Sequence, residues 1–318
     1  MPLRVAVQMD PIEGINISGD STFAIMLGAQ ARGHTLYHYL ADALTYEGGR
    51  LYAGAHPIRV QPTPGDHFTL GEFTILDLGH DVDVVLMRQD PPFDLGYITA
   101  THLLERIKGE TLVVNDPAAV RDAPEKVWVL DFARFMPPTM VTRSIGAARK
   151  FAAEHGEVVL KPLHGNAGKA VFKIGRDGAN LSALMELFNA TYREPHMLQA
   201  FRPEVADGDK RIILVDGKFT GAINRRPAAG DIRSNLAAGG TAEAAELTET
   251  EREICEALGP ELERRGLLFV GIDVIGGRWL TEINVTSPTG IVAVDKFNGT
   301  NTAGLIWDAI ERRVAQRG

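Results

Sequence analysis

The sequence predicts an open-sheet α/β domain over residues 1–122, followed by an α+β domain over 123–318. Three observations carry this reading. The first 120 residues alternate short β-rich runs with stretches at helical spacing, and the remainder is arranged around antiparallel hairpins. At 318 residues the chain also has length for about two domains. Hydrophobic residues at 45% and charged residues at 23% suit a soluble globular protein, and no apolar run approaches the ~18 residues of a membrane helix.

In the first part, "RVAVQM" (4–9), "VDVVLMR" (82–88) and "TLVVN" (111–115) are short apolar runs of the kind a parallel sheet buries. "FAIMLGAQARG" (23–33) and "YITATHLLERIKG" (97–109) have helical spacing and end at glycine, a common helix stop. Segment 43–72 is rich in Gly, Pro and His, shows no period, and is expected to be irregular or a mobile hairpin. In the second part, "VVLKP" (158–162) and "AVFKI" (170–174) flank the glycine-containing turn "LHGNAG". "KRIILVDGKFTGAINR" (210–225) reads as a hairpin about Asp216-Gly217, a strong two-residue turn signal. A helix over about 248–265, a hairpin within 269–290 and a closing helix from about Thr302 complete the chain. Between them, "RPAAGDIRSNLAAGGTAEAAEL" (226–247) has no period. Its length suggests a lid hinged at Gly230, Gly239 and Gly240, against the plainer reading of a surface linker.

The balance of 33 basic against 41 acidic residues, a net −8, argues against a nucleic-acid partner. A small anionic ligand would need positive charge concentrated locally. The single cysteine, Cys255, excludes an internal disulfide framework and a cysteine-based zinc cluster, and fits a packing role on its helix. A reducing cytoplasm is the natural setting. The first residues, "MPLRVAVQMD", read as a strand and then Asp-Pro, not as a signal peptide.

The hairpin "FVGIDVIGGRWLTEINVTSPTG" holds the chemistry. Glu282 and Asn284 are two apart and share a strand face. With a two-residue Gly276-Gly277 turn, Asp273 falls opposite Leu280 and joins that face, leaving Ile272, Val274, Trp279 and Ile283 for the core. Two carboxylates and an amide oxygen suit magnesium, which completes its shell with phosphate and water; a solvated strand face is the alternative. "NVTSPTG" is expected to lead away from this site while offering hydroxyls and backbone amides nearby. Lys161, at the end of "VVLKP" before a glycine loop, makes a plausible phosphate cradle, although no GxxxxGK[ST] is present. Arg88 closes an apolar strand in "VLMRQDPPFD", the sheet edge where open α/β sheets bind ligands, while Lys210, Arg211 and Arg225 recur at hairpin ends. Each taken alone also reads as a surface charge.

Together, "VLMRQDPPFD", "DGDKRIILVDG", "RSNLAAGG" and "TEINVTSPTG" resemble the bacterial glutathione synthetases, which are ATP-grasp ligases. The likeness runs from "VQMDPIEGINISGDS" to "LIWDAIE", essentially the whole chain. It implies an ATP-grasp fold for 123–318 with a mobile lid at about 226–247. It implies ligation of gamma-glutamylcysteine and glycine to glutathione through an acyl phosphate, with ATP giving ADP and phosphate. By the same resemblance Asp273, Glu282 and Asn284 hold magnesium, with manganese an option. Lys126, Lys161, Gly165, Gly168, Gln199, Ala200, Phe201 and Asp209 hold ATP. Arg88, Arg211, Arg225 and Arg233 grip the dipeptide, Arg211 and Arg233 also acting in catalysis. A cytoplasmic homotetramer, with neither nucleic acid nor membrane as partner, is implied too. The chain departs from the pattern in three places: Asn166-Ala167-Gly168-Lys169 replaces a Gly pair, Thr241 replaces an arginine, and the metal hairpin is one residue longer. A ligase for another acid–amine pair and a catalytically silent nucleotide-binding paralogue are the alternatives.

Overall fold

A computed structural model describes residues 1–165, 168–228, 233–234 and 239–317. The first sheet is built from β1 (Arg4–Gln8), β2 (Thr35–Tyr39), β3 (Leu44–Glu47), β4 (Arg50–Val60), β5 (Phe68–Leu70), β6 (Thr74–Asp77), β7 (Val84–Met87) and β8 (Leu112–Val114). The path β3-β4-β2-β1-β7-β8 has a parallel centre, β2-β1-β7-β8, and an antiparallel margin where β5 and β6 also join β4. Helices α1 (Ser21–Ala31), α2 (Leu95–Glu105) and α3 (Pro117–Arg121) each start at an aspartate whose side chain accepts a backbone N–H three residues on, at 2.6, 2.9 and 3.0 Å. Each such cap contributes about 1 kcal/mol.

The segment expected to be irregular or a mobile hairpin is largely strand, and its first half is a hairpin, β3 pairing antiparallel with β4 so that Glu47 faces Arg50. β4 buries Leu51, Ala53 and Ala55 on one face while Tyr52, Gly54 and His56 stay half-buried on the other. Alanine inside and tyrosine outside leave almost no hydrophobic alternation to read, so pairing with four neighbouring strands, and not local pattern, makes this strand.

The second sheet contains β9 (Thr139–Thr142), β10 (Val158–Pro162), β11 (Phe172–Ile174) and β12 (His196–Ala200) in the antiparallel order β11-β10-β12-β9. With α4 (Ile145–His155) and α5 (Leu181–Thr191) it closes round its own core of Phe151, Leu160, Met185, Phe188 and Leu198.

The third sheet runs β15-β14-β13-β16-β17, all antiparallel, from β13 (Asp209–Val215), β14 (Lys218–Arg226), β15 (Thr241–Ala244), β16 (Phe269–Ile275) and β17 (Trp279–Asn284). Val215 faces Lys218 across Asp216-Gly217, whose φ values of 51° and 73° give the expected two-residue turn. β15 lies within the stretch read as aperiodic, and pairs with β14. α6 (Glu249–Arg265) starts at a Thr248–Glu251 capping box. α7 (Ile291–Asn298), which the sequence reading did not place, is followed by α8 (Thr302–Ala315). Val5, Val7 and Leu86 of the first sheet share one core with Ile213, Phe269 and Trp307. Asn115 ties the two sheets: its Nδ2 donates to Phe269 O and Val285 O, both at 2.8 Å, and its Oδ1 accepts from Phe269 N at 2.8 Å. Among the described residues no helix is long and apolar enough to cross a membrane.

Candidate active site

The hairpin of β16 and β17 turns through three residues, Gly276, Gly277 and Arg278, so that Ile275 faces Trp279 and Val274 faces Leu280. A bulge follows, with Thr281 as the extra residue, and pairing resumes with Asp273 opposite Glu282 and Gly271 opposite Asn284. The expected pairing of Asp273 with Leu280 is thus corrected. Leu280 is fully buried with Ile272, Val274 and Ile283. Trp279 leaves the core face, and the guanidinium groups of Arg202 and Arg278 lie 4.2 Å from its ring. Two single-residue shifts cancel, because side chains alternate with period two. Asp273, Glu282 and Asn284 therefore still share a face, and the bulge absorbs the residue by which the hairpin is longer than expected.

Arginines from β13 and β14 surround Asp273. Arg211, directly opposite on β13, donates from Nε to Oδ1 at 2.7 Å and from Nη2 to Oδ2 at 3.2 Å. Arg225 Nη2 lies 3.0 Å from Asp273 Oδ1 and 2.7 Å from Asp209 Oδ2. Burial works to raise the Asp273 pKa, but Arg211 and Arg225 outweigh it and hold the carboxyl below its usual range. Asp209 goes the other way. Burial lifts its pKa despite Arg225 and the Ser234 hydroxyl, which donates at 2.9 Å. The two carboxyls thus shift in opposite directions, Asp273 down and Asp209 up.

A cleft opens between β10 and β12 on one side and β13, β16 and β17 on the other. Lys126, Lys161, Lys169, Arg202 and Arg233 line it, against Asp209, Asp273 and Glu282. Here is the local excess of positive charge that an anionic ligand requires in a chain of net −8. Glu282 Oε1 lies 3.3 Å from Lys126 Nζ and 4.0 Å from Lys161 Nζ, and Lys126 Nζ donates to Gly165 O at 2.6 Å. Burial pulls the Lys161 pKa down to about 8, with the charge of Glu282 opposing it. Gly165, Gly168, Gln199, Ala200 and Phe201 complete the wall, and Gln199 Nε2 is fixed by Thr139 Oγ1 at 3.0 Å.

Four sequence-predicted residues do not line this cleft. Arg211, Arg225 and Asn284 stand behind its wall, around Asp273. Arg88 lies just beyond β7, buried, donating from Nε to Thr22 Oγ1 at 3.0 Å and from Nη2 to Pro288 O at 2.9 Å. Its guanidinium carbon sits 5.2 Å from the Phe269 ring centroid. Residues 286–290 consequently do not lead away from the site, as the sequence suggested. Thr286 donates to Glu125, Pro288 accepts from Arg88, and Thr289 O accepts from Arg211 at 3.3 Å. Cys255 packs in the core beside Ile254 and Leu258. Asn166, Ala167 and Gly230 lie outside the described residues. Sequence reasoning missed Glu125, Thr286, Lys169 and Arg202. Glu125 had one signal, its place before Lys126; Thr286 had another, its hydroxyl in the segment expected to offer such groups near the site; Lys169 and Arg202 had none.

Residues 3–121 match the family described as prokaryotic glutathione synthetase, N-terminal domain, and residues 125–299 match its ATP-grasp domain. Over 315 residues the chain is 58% identical to the glutathione synthetase of Rhodopseudomonas palustris, covering 99% of this chain and 100% of the relative. It is 56% identical to that of Bradyrhizobium diazoefficiens, with coverage of 99% and 100%, and 44% identical to that of Pseudomonas syringae pv. tomato, with coverage of 100% and 99%. Among solved structures, D-cycloserine synthetase DcsG superposes with a TM-score of 0.70 at 18% identity, covering 98% of this chain and 99% of that one. A RiPP-associated ATP-grasp ligase of Chryseobacterium gregarium gives 0.65 at 15% identity, with coverage of 98% and 97%. Such distant structures speak to the fold alone, and that fold is ATP-grasp. On the two domain matches and the full-length relatives, the chain belongs to the prokaryotic glutathione synthetase family of ATP-dependent carboxylate–amine ligases.

Proposed function

We propose that this chain joins gamma-glutamylcysteine to glycine at the cleft, consuming ATP and releasing glutathione, ADP and phosphate. The observation that carries the reading is the meeting of Lys126, Lys161 and Glu282 within 4.0 Å, beside the opposed pair Asp273–Glu282. A carboxylate is a poor electrophile. Phosphorylating its oxygen gives an acyl phosphate with a good leaving group, which the glycine amine then attacks. Phosphoryl transfer between anions is mostly a matter of positioning and cationic stabilisation, and this cleft supplies cations on both sides.

In this reading Lys126 and Lys161 hold the ATP phosphates, with Gly165 and Gly168 in the loop beneath them. Gln199, Ala200 and Phe201 border the adenine, and Asp209 faces the ribose. Arg233 on the cleft wall steadies the acyl phosphate, with Arg211 and Arg225 adding their charge from behind Asp273, while Arg88 holds a dipeptide carboxylate from the first sheet. Asp273, Glu282 and Asn284 fit magnesium or manganese. Asn284 commits Nδ2 to Gly271 O at 3.2 Å and Asp273 Oδ2 at 3.4 Å, so its oxygen is the atom left for a ligand. Among the described residues no three His, Cys, Asp or Glu side chains are grouped to hold a metal by themselves. A cation here suits the habit of magnesium, which takes one or two carboxylates and finishes its shell with phosphate and water. Once bound, it would neutralise phosphate charge. Arg211 and Arg225 keep Asp273 ionised, the form a cation needs.

Two further parts of the reading are a division of the chain at 122/123 and a lid at 226–247. Ser234, within that lid, already bonds Asp209, and Arg233 lines the cleft. A cytoplasmic homotetramer is the assembly expected with it, and sedimentation tests that. The acyl phosphate has its own test. Dipeptide carrying ¹⁸O in its glycyl-accepting carboxylate should pass one ¹⁸O into the released phosphate for each glutathione made. Phosphate without label would exclude the intermediate.

A further inference from the structure

We propose that Trp279 is a positioning residue for nucleotide binding: its ring holds the Arg202 guanidinium at the cleft wall and so fixes residues 201–208, the link between the two banks. This inference rests on the nucleotide site of the ligase reading above. The link joins the end of β12 to the start of β13, and with them the second sheet to the third. Arg202 and Val205 of the link line the cleft, beside Phe201 on one bank and Ile275 on the other. Ile275 is the residue that Trp279 faces across the hairpin. The three-residue turn puts that pair on the cleft face; with the two-residue turn expected from sequence, Trp279 would have joined the core. The extra residue of this hairpin is thus what turns Trp279 toward Arg202.

The contact is one of charge against ring. The Arg202 guanidinium carbon lies 4.2 Å from the Trp279 ring centroid. Among the described residues Arg202 Nε is buried without a hydrogen-bond partner, and so is Trp279 Nε1. A guanidinium is drawn to the electron-rich face of an indole, more strongly where water is partly excluded, and both residues here are half-buried. Arg278 lies at the same 4.2 Å from the ring, but it is exposed at the turn, where solvent screens its charge from that of Arg202. The tip of the hairpin also touches the link directly. A Cβ on Gly276, whose φ is 58°, would lie 2.8 Å from Glu204 Cβ, so bare backbone is what lets the two meet. On its other side Thr248 Oγ1, at the head of α6, donates to Gly277 O at 2.6 Å. Trp279 therefore stands on a fixed base and passes that order to Arg202. A link ordered in advance spares the nucleotide the entropy of ordering it, which is how a residue behind the cleft wall strengthens binding within it.

The test is a double-mutant cycle on the full chain, reading the Kd for ATP with magnesium by calorimetric titration and kcat with all three substrates saturating. Trp279→Leu should raise the Kd about fivefold, the scale of one half-buried cation–ring contact, with kcat within about twofold of the parent. Trp279→Phe keeps a ring and should hold the Kd within about twofold. Arg202→Met should raise the Kd at least about fivefold, and adding Trp279→Leu to it should raise it less than about twofold further, because ring and guanidinium act as one unit. A Kd within about twofold of the parent in Trp279→Leu, or single effects that multiply in the double variant, overturns the proposal. So does a Trp279→Leu whose kcat falls while its Kd holds, since Trp279 would then serve only the hairpin that carries Glu282. Should Trp279→Leu fail to fold, Trp279→Met takes its place with the same expected values. If the parent binds no ATP, the nucleotide reading itself has failed. If the parent binds ATP and Trp279→Leu binds it equally well, this inference alone has failed.

Discussion

Lys161 shows how one buried charge links stability to function. The residue is 6% exposed and its ammonium is pulled by burial from 10.5 to about 8, so folding opposes the charged form that a phosphate site needs. The sign follows from proton counting. Between about pH 8 and 10.5 the unfolded chain binds more protons than the folded one, so stability rises with pH across that window. Below pH 8 the burial cost stands in full, at roughly 3 kcal/mol. Lys161→Met should therefore melt at a higher temperature than the parent at pH 7, with the gain shrinking toward pH 10, while ATP binding weakens. Calorimetry at two pH values and a nucleotide titration check both halves; a lower melting temperature at pH 7 would refute the burial account. Glu282→Gln keeps the strand and removes a charge from the metal face. Turnover should fall on the order of 10²–10³-fold with the melting curve little changed, and near-parental activity across magnesium concentrations would remove Glu282 from the site. Both residues were legible in sequence, because a lysine before a glycine loop and carboxylates in an apolar hairpin are local signals. The partners of Asp273 were not, since Arg211 and Arg225 reach it only through the register of β13, β14 and β16.

The hairpins divide sharply in what they reveal beforehand. Asp216-Gly217 was readable because a two-residue turn needs φ > 0 at both positions and uses residues that tolerate it. The turn of β16 and β17 was not, because Gly-Gly followed by Arg278 serves a two- or a three-residue loop equally well, and the Thr281 bulge leaves no mark in composition. The face shared by Asp273, Glu282 and Asn284 survived, as did Ile272, Val274 and Ile283 on the core face, since two shifts restore parity. β4 stayed hidden for a different reason, its buried face being partly alanine. Gly217 supplies the test at this scale. Its φ is 73°, and a Cβ there would lie 2.5 Å from the carbonyl oxygen of Gly259 in α6, a backbone atom that cannot easily yield. Gly217→Ala should lower the melting temperature by ~3–6 °C, through left-handed strain together with the displaced helix. A change below 1 °C would mean that the hairpin and α6 are not in this contact.

Across the molecule, the first and third sheets share a core and are stitched by Asn115, whereas the second sheet keeps a core of its own and lends Met197 to a cluster formed by the other two. The cleft lies on that seam, with Lys161 and Gln199 on one bank and Asp273 and Glu282 on the other. A ligand that bridges the banks should draw the second sheet in as a unit. Hydrogen exchange should then slow in 158–162 and 196–200 when ATP and magnesium are added, and stay unchanged in β1 and β7; uniform slowing, or none, would contradict a hinge at the seam. The α/β and α+β halves were legible from strand and helix rhythm. Which sheets would share a core was not, because one core brings Val5 together with Phe269 and Trp307, both more than 260 positions further along the chain. The central claim, that this cleft couples ATP cleavage to joining gamma-glutamylcysteine and glycine, is met most directly by phosphate release with magnesium, each substrate omitted in turn, and product identified by mass. The account predicts glutathione and phosphate in equal amounts only when all three substrates are present. Phosphate release that ignores glycine and the dipeptide, or no release with all three, would contradict it.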